Sequence, residues 1–156
     1  MAGRGSHALD ASSTADWLKT LPAVTTLRTI WDQQFEPKEQ GGGWRVESAL
    51  PAGQLINSPY DLDARYGKKR TTMWVGYKVH FSETREQDAP QLITHVETTR
   101  AGVNDERALS AIHAGLAGKE LLPEQHLVDA GYVDAANLLQ SHHDYEVDLL
   151  GPVRHN

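Results

Sequence analysis

The chain has 156 residues, room for about one domain with a single sizeable core. Its hydrophobic fraction of 39% and mean hydropathy of -0.52 exclude wholesale disorder. A net charge of -6 excludes a surface coated all over in basic residues, and the lack of cysteine excludes disulfides, thiol catalysis and thiolate-held zinc.

No run reaches the roughly 18–20 apolar residues of a membrane span. The opening MAGRGSHALD has no apolar stretch of a secretory signal. A cytoplasmic protein with no membrane partner is therefore expected. Residues 1–15 are small and polar, as in a disordered leader. Residues 16–50 form an N-terminal helical segment, in which Pro22 separates a short helical turn from a longer helix to about Phe35. Val24, Leu27, Trp31 and Phe35 would share one face of that helix. Gln40-Gly41-Gly42-Gly43 predicts a flexible break, without the Gly-Lys-Ser/Thr ending of a phosphate-binding loop.

Residues 51–156 carry the remaining elements. Residues 73–81 alternate, with Met73, Val75, Tyr77, Val79 and Phe81 on one face and Trp74, Gly76, Lys78 and His80 on the other. Ser82 to Pro90 reads as a polar turn and Gln91 to Thr99 as a second strand, giving a hairpin. Asn104 is a candidate N-cap, with Asp105 and Glu106 in the first turn, where the helix dipole favours acids. Leu109, Ile112, His113 and Leu116 then form a helical stripe. Beyond Pro123, His126–Asp129 predicts a short strand, Asp134 caps a helix containing Leu138 and Leu139, and Val147–Val153 predicts a last strand interrupted by Gly151-Pro152. Strand–helix–strand connections favour parallel pairing, so an α/β domain with a mixed sheet and flanking helices is expected. Active residues of such sheets lie at the carboxyl ends of strands, where Asp129 falls.

Between Ala64 and His80 there are five bases, Arg65, Lys68, Lys69, Arg70 and Lys78, and no acids. Such a strip is either a solvated loop or a set of phosphate contacts. Asp61 and Asp63 precede it, and Asp129 closes a later strand. Two carboxylates brought close need a cation between them, and hard oxygen ligands select magnesium or manganese. A two-ion site of that kind supports phosphodiester displacement. By spacing alone, such acids are more often helix caps or solvated loop acids than catalytic groups. There is no Gly-x-Ser-x-Gly elbow and no HExxH pair, and the eight histidines are scattered.

Four ordered blocks carry a more specific signal: SPYDLDARYGKKRTTMWVGYKVHFSET, LITHVETTRAGVNDERAL, HLVDAGYVDAANLL and DLLGPVR. Together with ADWLKTLPAVTTLRTIW, they resemble the DDE transposases of bacterial insertion sequences over about Asp16 to Arg154. The resemblance implies a partial RNase H-like catalytic domain over 51–156: three antiparallel strands, then helix, strand, helix, strand, incomplete at the C-terminus. It carries the catalytic, metal-holding acids over to Asp61, with Asp63 as the fallback, and to Asp129 in DAGY, with Mg²⁺ or Mn²⁺ as the implied cofactor. Asp105 matches a family position but a capping role explains it equally, so it stays outside the catalytic set. Lys68, Lys69 and Arg70 would hold DNA backbone at the element ends.

The family's third acid, a glutamate on a later helix, has no counterpart before Asn156, and Glu146 and Asp148 sit in the wrong place to replace it. The resemblance thus implies a truncated transposase, parent activity metal-dependent DNA cleavage and transfer, with little or no activity alone. Two further readings stand beside it. One is a non-enzymatic fragment that binds DNA or a full-length transposase, or pairs with its own kind. The other is a small nuclease with a different third ligand.

Overall fold

The computed structural model describes residues 16–38, 41–45, 50–86 and 88–152. The leader 1–15 and Val153, at the end of the last expected strand, lie outside them. The chain divides into two compact units, residues 1–76 and 77–156, and each is taken by itself.

The first unit opens with helix α1 (Asp16–Lys19) and helix α2 (Pro22–Gln34). Pro22 occupies the first turn of α2, where its missing N–H costs nothing and its fixed φ suits the helix. The break before Pro22 falls where the sequence predicts it, but the helix stops one residue short of Phe35. Phe35 instead begins strand β1 (Phe35–Lys38), which pairs antiparallel with β2 (Gly41–Trp44) in the register Phe35↔Trp44. The glycine run, expected as a flexible break, is therefore strand. An aromatic stack offsets the entropy of ordering those glycines: Trp31 lies 4.1 Å from Phe35, and Phe35 lies 4.3 Å from Trp44. Arg45 fastens the end of this ribbon, its Nε donating to the carbonyls of Asp32 and Phe35, each at 3.1 Å.

A 3₁₀ turn (Ala52–Gln54) leads through a loop to strand β3 (Arg65–Lys69). Strand β4 (Thr72–Glu83) pairs antiparallel with β3 from Lys69↔Thr72 to Arg65↔Gly76. The two-residue turn between them holds Arg70 at φ 56, the left-handed region, which costs an L side chain about 1–2 kcal/mol. At Gly76 the backbone takes φ 149, open to glycine alone, and β4 passes from the first unit into the second.

In the second unit, Tyr77–Glu83 of β4 pair antiparallel with β5 (Ile93–Arg100), from Tyr77↔Arg100 to Phe81↔Val96, with a bulge at Ser82/Glu83. A 3₁₀ turn (Asp105–Ala108) then runs into helix α3 (Leu109–Ala117). Strand β6 (Gln125–Leu127), helix α4 (Ala135–Tyr145) and strand β7 (Asp148–Leu150) complete the described order, with β6 and β7 parallel. Helix α3 packs on β5, and α4 packs on both α3 and β7. The chain is thus mixed α/β, with several small sheets and helices.

The expected stripe of α3 is the centre of packing: Leu109, Ile112, His113 and Leu116 are all buried. Ala108, Ile112 and Leu116 form the core cluster, joined by Leu122 and Tyr132. Each such leucine or isoleucine contributes about 1.5–3 kcal/mol by leaving water. Asp134 caps α4, accepting from the Asn137 N–H at 2.7 Å. Asn104 also sits at a helical start, but its amide donates to Glu106 Oε1 at 3.2 Å and makes no side-chain cap.

Candidate functional site

Strand β4 alternates as the sequence predicts, yet the buried face is the polar one. Val79 and Phe81 stand in solvent, whereas His80 is 6% exposed and Ser82 is 8% exposed. On β5 the same inward face carries His95, Glu97 and Thr99. These groups are covered by α3 and by the turn that follows β6, and the polar atoms have to be satisfied there.

A cluster around Tyr132 satisfies them. The Tyr132 hydroxyl lies in close hydrogen-bond contact with His80 Nδ1, and His80 Nε2 lies 3.0 Å from Thr99 Oγ1. Burial, with the charges of Asp105 and Asp129 adding to it, holds the Tyr132 pKa above the ordinary phenol value. The phenol therefore keeps its proton at neutral pH and donates it to His80 Nδ1. Nε2 then carries the imidazole proton and donates to Thr99. Burial, reinforced by the Lys78 ammonium, outweighs the attraction of Asp105 and lowers the His80 pKa, so this imidazole is neutral.

Two acids border the same phenol. Asp105, on the 3₁₀ turn, accepts from Lys78 Nζ at 2.6 Å. Its carboxylate lies against Gly131, where a Cβ would come within 3.2 Å of Asp105 Oδ2. Glycine in the DAGY turn thus lets the turn pack onto that acid. Asp129 lies two residues beyond β6, exposed, and its carbonyl accepts the Tyr132 N–H at 3.0 Å to close the turn. Asp129, Asp105, Tyr132, His80 and Lys78 form one charged and polar group in a single unit. Asp105, set aside as a capping residue from the sequence, is a full member of it. The alternation that puts Lys78 and His80 two residues apart on one strand face was the available signal.

The other residues singled out from the sequence lie in the first unit. Asp61 is exposed in the loop four residues before β3, and its Oδ1 accepts the N–H groups of Asp63, at 3.0 Å, and Ala64, at 3.2 Å. Asp63 is exposed in the same turn. Lys68 and Lys69 end β3 and Arg70 begins the turn to β4, so the three bases form an exposed hairpin tip. Among the described residues, no three histidine, aspartate or glutamate side chains converge as a metal-ligand group.

Two more histidine groups lie beneath α3. Lys119 Nζ donates to the Thr94 carbonyl at 3.0 Å and to His95 Nδ1 at 3.2 Å. His95 Nε2 makes no hydrogen bond and lies 3.5 Å from Glu97 Oε2. The ring lies where a Cβ on Gly115 would stand, 2.7 Å from His95 Nε2. Deeper still, His113 Nε2 and His126 Nδ1 are 3.0 Å apart. Burial, and then the neighbouring His126, push the His113 pKa down to about 4.

No family model matches the chain, and neither the curated proteins nor the solved structures give a match.

Proposed function

We propose that this chain is transposase-like, of the DDE type, engages DNA through its β3–β4 hairpin and does not cleave it unaided. The observation that carries the proposal is the element order. The antiparallel strands β3, β4 and β5 are followed by helix, strand, helix, strand, with β6 parallel to β7. That is the order which the four resembling sequence blocks imply for an RNase H-like domain. Asp129 lies just past the first strand of the parallel pair, within the DAGY block.

The proposed catalytic ancestry assigns two acids, Asp61 and Asp129, where the family uses three. Two carboxylates cannot fully fix two ions, and a misplaced nucleophile costs about 10²-fold or more in rate. The parent chemistry would be metal-dependent cleavage and joining at element ends, while this chain retains contact with DNA.

A binding role draws on a second observation, the exposed Lys68-Lys69-Arg70 tip in a chain that is acidic overall. Salt-titrated binding to a short DNA duplex, followed by fluorescence anisotropy, tests it. Each phosphate contact contributes about 0.9 to the slope of log affinity against log salt. The triple variant Lys68→Ala, Lys69→Ala, Arg70→Ala is expected to lose up to about 3 of that slope, while Asp129→Ala leaves it unchanged. An unaltered slope in the triple variant overturns the assignment of the hairpin as the DNA contact.

A further inference from the structure

A cleft of about 590 Å³ lies within the second unit, between the end of β4 and strand β6. Phe81, Ser82 and Glu83 of β4 and the following Thr84 line it together with Gln125, His126 and Leu127 of β6. Side chains from both faces of β4 line it, Phe81 from the solvent side and Ser82 from the covered side. The cleft therefore runs along the strand edges, with Leu116 of α3 at its floor.

Both edges that flank it offer backbone hydrogen-bonding groups. In the parallel β6–β7 pair, Asp148 N–H bonds the Glu124 carbonyl and Val128 N–H bonds the Leu150 carbonyl, each at 2.8 Å. Even-numbered residues of β6 thus address β7, and strand alternation turns the N–H and C=O of Gln125 and Leu127 to the opposite edge, into the cleft. On the other side, the ladder from β3 stops at Gly76, so no strand lies beside the far edge of Val79–Glu83 among the described residues. The two half-sheets share one helical cover, because α3 packs on β5, α4 packs on β7, and His113 of α3 touches His126 of β6. A two-stranded parallel ribbon, with neither outer edge paired to a strand among the described residues, is marginal by itself, since parallel sheets are normally larger and covered on both faces. Three exposed apolar side chains ring the opening: Phe81 at 63%, Leu121 at 48% and Leu127 at 56%. Glu83 and Glu86, against the single Arg85, make its mouth acidic.

We infer that this cleft receives an extended strand from a separate polypeptide, which joins β4 and β6 by backbone hydrogen bonds into one sheet. The strand carries apolar side chains at alternate positions, to cover Leu116 and Leu121, and a lysine or arginine that meets Glu83 and Glu86. Its recognition follows strand addition, where main-chain bonds supply affinity and alternate side chains supply selectivity. It is independent of the DNA-binding proposal.

The probe is an end-blocked eight-residue peptide in which valine alternates with lysine and threonine, added to the full chain. Saturable binding by anisotropy is expected, together with slowed hydrogen exchange at the Gln125 and Leu127 amides. The same peptide N-methylated at alternate residues is expected to bind at least about tenfold more weakly, through the loss of a strand's backbone donors. The double variant Glu83→Lys, Glu86→Lys is expected to weaken the lysine peptide severalfold and to favour one bearing glutamate. Absence of saturable binding, or affinity indifferent to N-methylation, overturns the inference. So does slow exchange at Gln125 and Leu127 before any peptide is added, which would place the chain's own segment or a second copy in the cleft.

Discussion

The buried histidine pair makes acid lability the most quantitative consequence of the fold. His113 is 1% exposed, with Nε2 3.0 Å from His126 Nδ1, Nδ1 3.5 Å from Ser141 Oγ, and the Tyr145 ring at 5.3 Å. Among these partners there is no carboxylate to compensate an imidazolium. The His113 pKa falls from 6.5 to about 4 on folding, so the folded chain binds its proton less readily than the unfolded one. Its contribution is therefore full above pH 6.5, declines as pH falls through 6.5 toward 4, and is flat below. At about 1.36 kcal/mol per pH unit, the loss amounts to about 3 kcal/mol, a large share of an ordinary domain's 5–15 kcal/mol. Burial lowers the His126 and His80 pKa values too, so both add in the same direction. The assay is urea unfolding followed by circular dichroism at pH 8, 7, 6, 5 and 4, on the parent chain and on His113→Gln. The parent is expected to lose at least about 3 kcal/mol across that range, and the variant to show a visibly shallower decline. Stability that stays flat between pH 7 and 4.5, or equal pH slopes in the two proteins, would refute the reasoning.

Other substitutions test single contacts. Gly115→Ala drives a methyl into the His95 ring and is expected to cost about 1–3 kcal/mol by overpacking, read as a lower urea midpoint. Glu146→Gly relieves a left-handed C-cap at φ 56 and is expected to raise stability by about 0.5–1 kcal/mol in the same assay. Tyr132→Phe leaves the inward His80 Nδ1 without its donor. It is expected to cost about 1–3 kcal/mol and to speed amide exchange around the DAGY turn.

Much of the local structure was legible because it rests on periodicity and capping chemistry. Pro22 marked the start of α2, the 3.6-residue stripe gave α3 with its buried face, and Asp134 was found as a true cap. The glycine run was misassigned because its strand pairing depends on Trp31 and Trp44 closing on Phe35 from outside the local window. The period of β4 was legible, but which face turns inward was not. Apolar residues predict burial only until the covering layer supplies polar partners, and Tyr132 and Asp105 do so here. Asp129 stood out by position, whereas Asp105 reaches its neighbourhood through the turn made possible by Gly131, which no spacing rule foresees.

The most direct test of the proposed function is a single gel of supercoiled plasmid incubated with the chain in Mn²⁺. Retarded but uncut plasmid is expected, the same for the parent and Asp129→Ala. Nicked circles that appear with the parent and vanish with Asp129→Ala would contradict the proposal.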